Sequence, residues 1–186
     1  AVAAADVLIY GSLVCRDNVS RNALQELLQI DVYKVFDVNL RKPHYSYEIL
    51  SQLMQSANFI KFNDEELLEI AKALNSPFES LEENMAFIEE KTKATAMCVT
   101  KGKHGALLLW EGKIYKNGGY PIEVADTVGA GDSFLAALLT LLLTQNEPQY
   151  AIDFACAIGA LVAESSGANP EISYSKIEKL MSGIKI

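Results

Sequence analysis

The sequence predicts an α/β fold: a mostly parallel sheet flanked by helices and followed by a short antiparallel meander. Three observations predict it. Short apolar runs alternate with helix-period segments from residue 6 to residue 100, the pattern of βαβ units. Beyond Thr100 the runs shorten and are joined by glycine-containing turns, as in hairpins. A strongly apolar run at 134–143 then follows a cluster of small residues; it is too short to span a bilayer and suits a buried helix.

Each element follows from its local pattern. "DVLIYG" (6–11) reads as a buried strand, and "SRNALQELLQI" (20–30) as a helix capped by Ser20 with Leu24, Leu27 and Leu28 facing inward. "VYKVFDV" (32–38) and "NFIKF" (58–62) are strands separated by the helix "SYEILSQLMQSA" (46–57). Helices at 64–74 and 81–91 precede the strand "TAMCVT" (95–100). "GALLLW", "KIYKN" and "IEVA" are expected to form the meander. Two helices follow, at 132–145 and 148–164, the second with Pro148 in its first turn. No repeat and no Pro-, Gly- or Ser-rich linker divides the chain, so 1–186 reads as a single α/β domain.

The bulk composition narrows the class of function. Half the 186 residues are hydrophobic and 22% are charged, which describes a folded globular chain. A net charge of −8 with no basic tract argues against a nucleic-acid partner. Cys15, Cys98 and Cys156 are widely spaced in apolar surroundings and read as buried thiols, with no zinc spacing. "AVAAADVLIY" lacks a basic leader region, so no signal peptide is expected and a soluble, cytoplasmic protein without a membrane partner is the default.

Polar residues gather at the predicted strand ends, where such folds place ligands. Arg41 follows "FDVN", Asn63 and Glu66 follow "FIKF", and Thr100, Gly102 and Gly105 follow "AMCV". Each has a plainer reading. Asn63 and Glu66 match a capping box, Arg41 a surface arginine, and the two glycines a turn; His44 and His104 lack partners at metal-ligand spacing. "DTVGAGDSF" (126–134) is harder to explain by local structure. If a helix begins near Asp132, the amides of Gly129, Ala130 and Gly131 form an anion site at its N-terminus. A carboxylate there would repel a phosphate, unless it takes the proton of a hydroxyl attacking that phosphate. On that reading Asp132 is a general base; the plain alternative is an N-cap aspartate.

"DTVGAGDSFLAALL" resembles the C-terminal signature of the ribokinase-like (PfkB-type) carbohydrate kinases through its whole length. "GSLVCRDNVSRNAL", "FDVNLR", "NDEE" and "VTKGKHG" occur in the order seen in bacterial fructokinases. The resemblance implies a ribokinase-like fold whose N-terminal part and sugar-covering lid are missing. It implies ATP and Mg²⁺, with Asp132 as base and Gly129, Ala130 and Gly131 as an anion hole for the γ-phosphate. Arg41 would lie near the transferred phosphate or the sugar. Asn63 and Glu66 would match an Asn-x-x-Glu element holding magnesium-bound waters and phosphate. Thr100, Gly102 and Gly105 would line the nucleotide. Asp126, the Val128 carbonyl and the loop around Gly167 would form a monovalent-cation loop, K⁺ being the ion it would admit. Cys156 departs from the family pattern, standing where many members carry an Asn that faces the nucleotide.

The expected activity is therefore transfer of the γ-phosphate of ATP to a sugar hydroxyl, fructose first, with 2-keto-3-deoxygluconate or ribose as near alternatives. A homodimer is an assembly this reading allows. Two other readings stay open: a nucleotide-binding module without catalysis, and a structural fragment whose sheet edge pairs with another chain.

Overall fold

The computed structural model describes residues 2–183. Strands β1 (Val7–Gly11), β2 (Tyr33–Asp37), β3 (Phe59–Asn63), β4 (Ala96–Thr100), β5 (Ala106–Trp110) and β6 (Lys113–Asn117) form one sheet in chain order. The first three are parallel, with Val35 opposite both Ile9 and Phe59. Val35, Phe36, Phe59 and Ile60 are wholly buried, as strands covered on both faces should be. Helices α1 (Asn18–Leu27), α2 (Tyr47–Gln55), α3 (Asp64–Ala73) and α4 (Leu81–Lys91) occupy the connections. Residues 101–105 between β4 and β5 are too few for a parallel crossover, so that pair is antiparallel. Glu111 and Gly112 join β5 to β6, both at positive φ (51° and 73°), the requirement of a tight hairpin turn.

This is the expected architecture, with four local differences. Helix α1 begins at Asn18, and its cap is Asp17 rather than Ser20. The Asp17 carboxylate accepts from the amides of Val19 (2.9 Å) and Ser20 (3.2 Å), which starts the helix ahead of Ser20. "IEVA" is not a strand. The amides of Ala125 and Asp126 both donate to the Ala163 carbonyl, near the end of helix α6 (Pro148–Glu164), so the segment leaves the sheet. Helix α5 spans Ala130–Leu143, two residues ahead of the expected start at Asp132, and its N-cap is Gly129. Helix α7 (Tyr174–Met181) is an element the sequence pattern does not announce; it is short, and buries Ile177 and Leu180 against Ala157 and Leu161 of α6. Cys15, Cys98 and Cys156 are buried thiols, as expected.

The chain divides into two compact units, Ala1–Val99 with Leu109–Lys113, and Thr100–Leu108 with Ile114–Ile186. In the second, α5 and α6 pack closely where Gly159 faces the Ala130 carbonyl and the Phe134 side chain. In the first, an ion pair lies across the carboxyl ends of two central strands. Lys61 Nζ is 2.9 Å from Asp37 Oδ1, and both residues are 7% exposed. The two are register partners, so the strand pairing itself brings the charges together.

A charge left alone at this depth is far costlier than the pair is stabilising. Lys61→Met is therefore expected to lower stability by about 3–5 kcal/mol, read from urea unfolding. The double change Asp37→Leu with Lys61→Met should recover most of that loss.

Candidate active site

In the first unit, the ends of β1, β2 and β3 are tied by a few side chains. Ser12 is buried just after β1; its hydroxyl donates to the Asn39 carbonyl (3.1 Å), and its amide to the Val38 carbonyl (3.4 Å). Asn39 sits at φ 46°, a conformation asparagine tolerates better than most residues. An open pocket of about 260 Å³ is lined here by Gly11, Leu13, Val14, Asn39 and Arg41. Arg41 is exposed, and its guanidinium donates to the Leu40 carbonyl (2.9 Å).

Asn63 and Glu66 form the capping box of α3. Asn63 Oδ1 accepts the Glu66 amide (2.8 Å), and Glu66 Oε2 accepts the Asn63 amide (2.9 Å). The other carboxylate oxygen reaches a different loop, where Glu66 Oε1 accepts the amide of Leu40 (2.9 Å), next to Arg41. One turn along α3, the Glu69 carboxylate accepts from the Tyr45 hydroxyl, from Tyr47 (3.4 Å), and pairs with Lys42 (3.1 Å). These contacts pull the Glu69 carboxyl below its ordinary range, the Tyr45 hydrogen bond foremost and then Lys42. Tyr45 is pushed up to about 12, by burial first and then by Glu69. Two carboxylates on one helix thus stitch down the loop that carries Arg41.

In the second unit, the backbone does most of the shaping. Asp126 Oδ1 accepts the Val128 amide (3.0 Å), and Oδ2 accepts the Gly167 amide (3.3 Å). Gly129 lies at φ 79°, and a Cβ there would collide with the Ala168 carbonyl and lie 2.9 Å from its Cα. Asp126, Gly129 and Gly167 are therefore brought together. At the expected anion hole, the Ala130 amide donates to the Thr127 carbonyl (3.3 Å), and the Ser133 amide to that of Gly129 (2.9 Å). Among the described residues the amides of Gly129, Gly131 and Asp132 donate no hydrogen bond. Two of the three expected amides, those of Gly129 and Gly131, are thus open, together with that of Asp132. Asp132 is exposed in the first turn of α5.

Thr100, Gly102 and Gly105 lie on the β4–β5 turn, whose backbone neighbours are at 117–119. A Cβ on Gly105 would fall 2.7 Å from the Asn117 carbonyl carbon, so this glycine is needed for packing as well as for its φ of 76°. Gly102 (φ 54°) has open space around it. Cys156 is buried on α6, and burial pushes its thiol up to about 12. Sequence reasoning overlooked Lys61, Glu69 and the contacts of Ala163 and Ala168. Lys61 did leave a signal, as a lone lysine inside an apolar strand.

The donor set bears on bound ions. No cluster of three or more His, Cys, Asp or Glu side chains is assembled among the described residues. Each Glu66 oxygen accepts one amide and keeps one lone pair. That suits hydrogen bonding to the waters of Mg²⁺, which typically meets proteins through one or two carboxylates, waters and phosphates. No helix of the described residues is long and apolar enough to cross a membrane.

Comparison with known proteins places the chain in a family. Residues 1–173 match the pfkB family carbohydrate kinases, and the chain belongs to that family. It is 29% identical over 154 residues to a fructokinase of Salmonella thompson, covering 76% of this chain and 66% of that protein. Among solved structures it resembles fructokinase from Vibrio cholerae O395 in a fructose, ADP and calcium ion bound form, with TM-score 0.80, 24% identity, and coverage of 94% and 60%. It also resembles 2-dehydro-3-deoxygluconokinase from Thermotoga maritima, with TM-score 0.81, 24% identity, and coverage of 96% and 60%. The chain spans less than two thirds of the length of each.

Two outcomes are expected from this geometry. Gly129→Ala should cost more than about 1 kcal/mol, since it adds a left-handed alanine to a collision; thermal unfolding measures it. Glu69 titrates below its ordinary 4.5 in the folded chain. Its contribution is therefore full above the unfolded value and is lost as pH falls through the folded one. Acid unfolding followed below pH 4.5 should be shallower in Glu69→Gln than in the parent chain.

Proposed function

We propose that the protein is an ATP-dependent sugar kinase that transfers the γ-phosphate of ATP to a sugar hydroxyl, fructose being the favoured acceptor. One observation carries the reading: an exposed carboxylate, Asp132, stands in the first helical turn beside the open amides of Gly129, Gly131 and Asp132. Membership of the carbohydrate kinase family gives that arrangement its chemistry.

Asp132 takes the proton of the sugar hydroxyl as its oxygen bonds to the γ-phosphorus, and the bond from phosphorus to the bridging oxygen of ADP breaks. Negative charge on the transferring group is met by the open amides and by the positive end of the α5 dipole. Gly129 supports this by letting the chain turn sharply without a side chain in the way. Asp126 organises the loop through the amides of Val128 and Gly167; with the Val128 carbonyl it is the proposed place for K⁺. Glu66 and Asn63 would hold the waters of Mg²⁺, which when bound would neutralise phosphate charge. Arg41 meets the transferred phosphate or the sugar, and Thr100, Gly102 and Gly105 line the nucleotide.

The choice of fructose rests on the fructokinase relatives, and 2-keto-3-deoxygluconate is the near alternative because the Thermotoga neighbour is equally similar in fold. The chain's span of less than two thirds of these proteins keeps a second reading in view, a nucleotide-binding module without turnover. Titrating an ATP analogue and each sugar separately distinguishes them, since the module would bind nucleotide alone.

Asp132→Asn should lower ATP-dependent sugar phosphorylation by about 10²–10⁴ in a coupled assay, the contribution of a positioned base. Its melting temperature should stay close to that of the parent. Near-normal turnover in this variant would overturn the assignment of Asp132.

A further inference from the structure

The 101–105 turn is itself held by a device that the sequence motifs do not mark. Its backbone lies against residues 117–119 so closely that neither Gly105 nor Gly119 has room for a side chain. A Cβ on Gly105 would collide with the Asn117 carbonyl, and one on Gly119 would collide with the Lys103 carbonyl and lie 2.9 Å from the Gly105 nitrogen. The position of 117–119 therefore sets the position of the turn.

That second segment hangs on one carboxylate. Asn117 Nδ2 donates to Asp153 Oδ1 (2.7 Å), while Asn117 Oδ1 accepts the Gly119 amide (2.8 Å). Gln149 Nε2 donates to the same Asp153 oxygen (3.0 Å) and to the Lys116 carbonyl (2.9 Å). Asp153 is half-buried on α6, and Tyr120 and Ile122, just beyond the crossing, pack on the apolar cluster of α6 and α7. The polar contacts orient the segment, and the apolar ones keep it seated.

We propose that Asp153 is a positioning residue for nucleotide binding, acting through Asn117 and the Gly105–Gly119 crossing on the turn of Thr100, Gly102 and Gly105. The proposal rests on the reading of that turn as the nucleotide-binding element. Asp153 does not touch the nucleotide; it fixes the main chain that does. The geometry asks for an acceptor at this place rather than for a charge, since both side-chain donors are neutral amides.

The test compares the whole chain with its Asp153→Ala and Asp153→Asn variants, using a fluorescent ATP analogue and hydrogen exchange. Asp153→Ala should weaken the analogue by about 3- to 10-fold, the range that one net hydrogen bond supports. It should also speed exchange of the Lys101, His104 and Gly105 amides, which bond within the turn, and leave the body of α6 unchanged. Asp153→Asn keeps an acceptor and should restore both properties. Unchanged affinity and unchanged turn exchange in Asp153→Ala would overturn the proposal, as would exchange that rises equally throughout α6. A parent chain that binds no analogue would instead overturn the nucleotide reading of the turn, whatever the exchange data show.

Discussion

The carboxylate of Glu66 is the constraint on which the strand-end edge of the first unit depends. The residue is 7% exposed, and its two oxygens hold two different loops, one at Asn63 and one at Leu40. A buried amide that loses its acceptor costs about 1–3 kcal/mol, so removing this side chain would orphan two donors at once. The loop leading to Arg41 is then held further along by Glu69, through Tyr45, Tyr47 and Lys42. The buried Asp37–Lys61 pair in turn joins the strands from which these loops emerge. Local capping and tertiary positioning are here performed by one residue, and the helical and functional readings of Asn63 and Glu66 need not compete.

The loop before α5, in the second unit, reaches a comparable order with one carboxylate. Gly129 at its left-handed φ, pressed against Ala168, turns the chain into α5 and leaves the amides of Gly131 and Asp132 open. Asp126 closes the same loop from the other side by accepting from Val128 and Gly167. Backbone amides are attractive donors for a transferring phosphate because they are preorganised and need no side-chain reorientation as charge develops. Their cost is conformational, and it is met by glycine, which alone takes these angles without strain.

Much of this is legible in the sequence because it is written in local patterns. The parallel strands follow from buried apolar runs, the capping box from Asn63 and Glu66 at their spacing, and the loop before α5 from its small residues. What escapes depends on contacts far apart in the chain. The "IEVA" segment has strand-like residues, but its last amide is claimed by Ala163. Helix α5 starts two residues ahead of expectation because Asp132 resembles a cap, whereas Gly129 caps without any side-chain bond. Helix α7 shows only two buried positions, too few for a clear period. Asp153 carries no motif at all, and its importance arises only when Asn117 is folded beside it.

The crossing of Gly105 and Gly119 has an evolutionary consequence. Each residue is small because of the other segment's main chain, not because of its own turn alone. A replacement at either position would force the two segments apart, and the gap so opened would remove the steric demand on the other while its positive φ (76° at Gly105, 85° at Gly119) still favoured glycine. The two are thus only partly coupled: the first loss would lift one of two constraints on the second and leave the backbone one in force. Lineages of this fold that have lost one of the two should therefore keep at the other a residue that accepts a positive φ, glycine first and asparagine next.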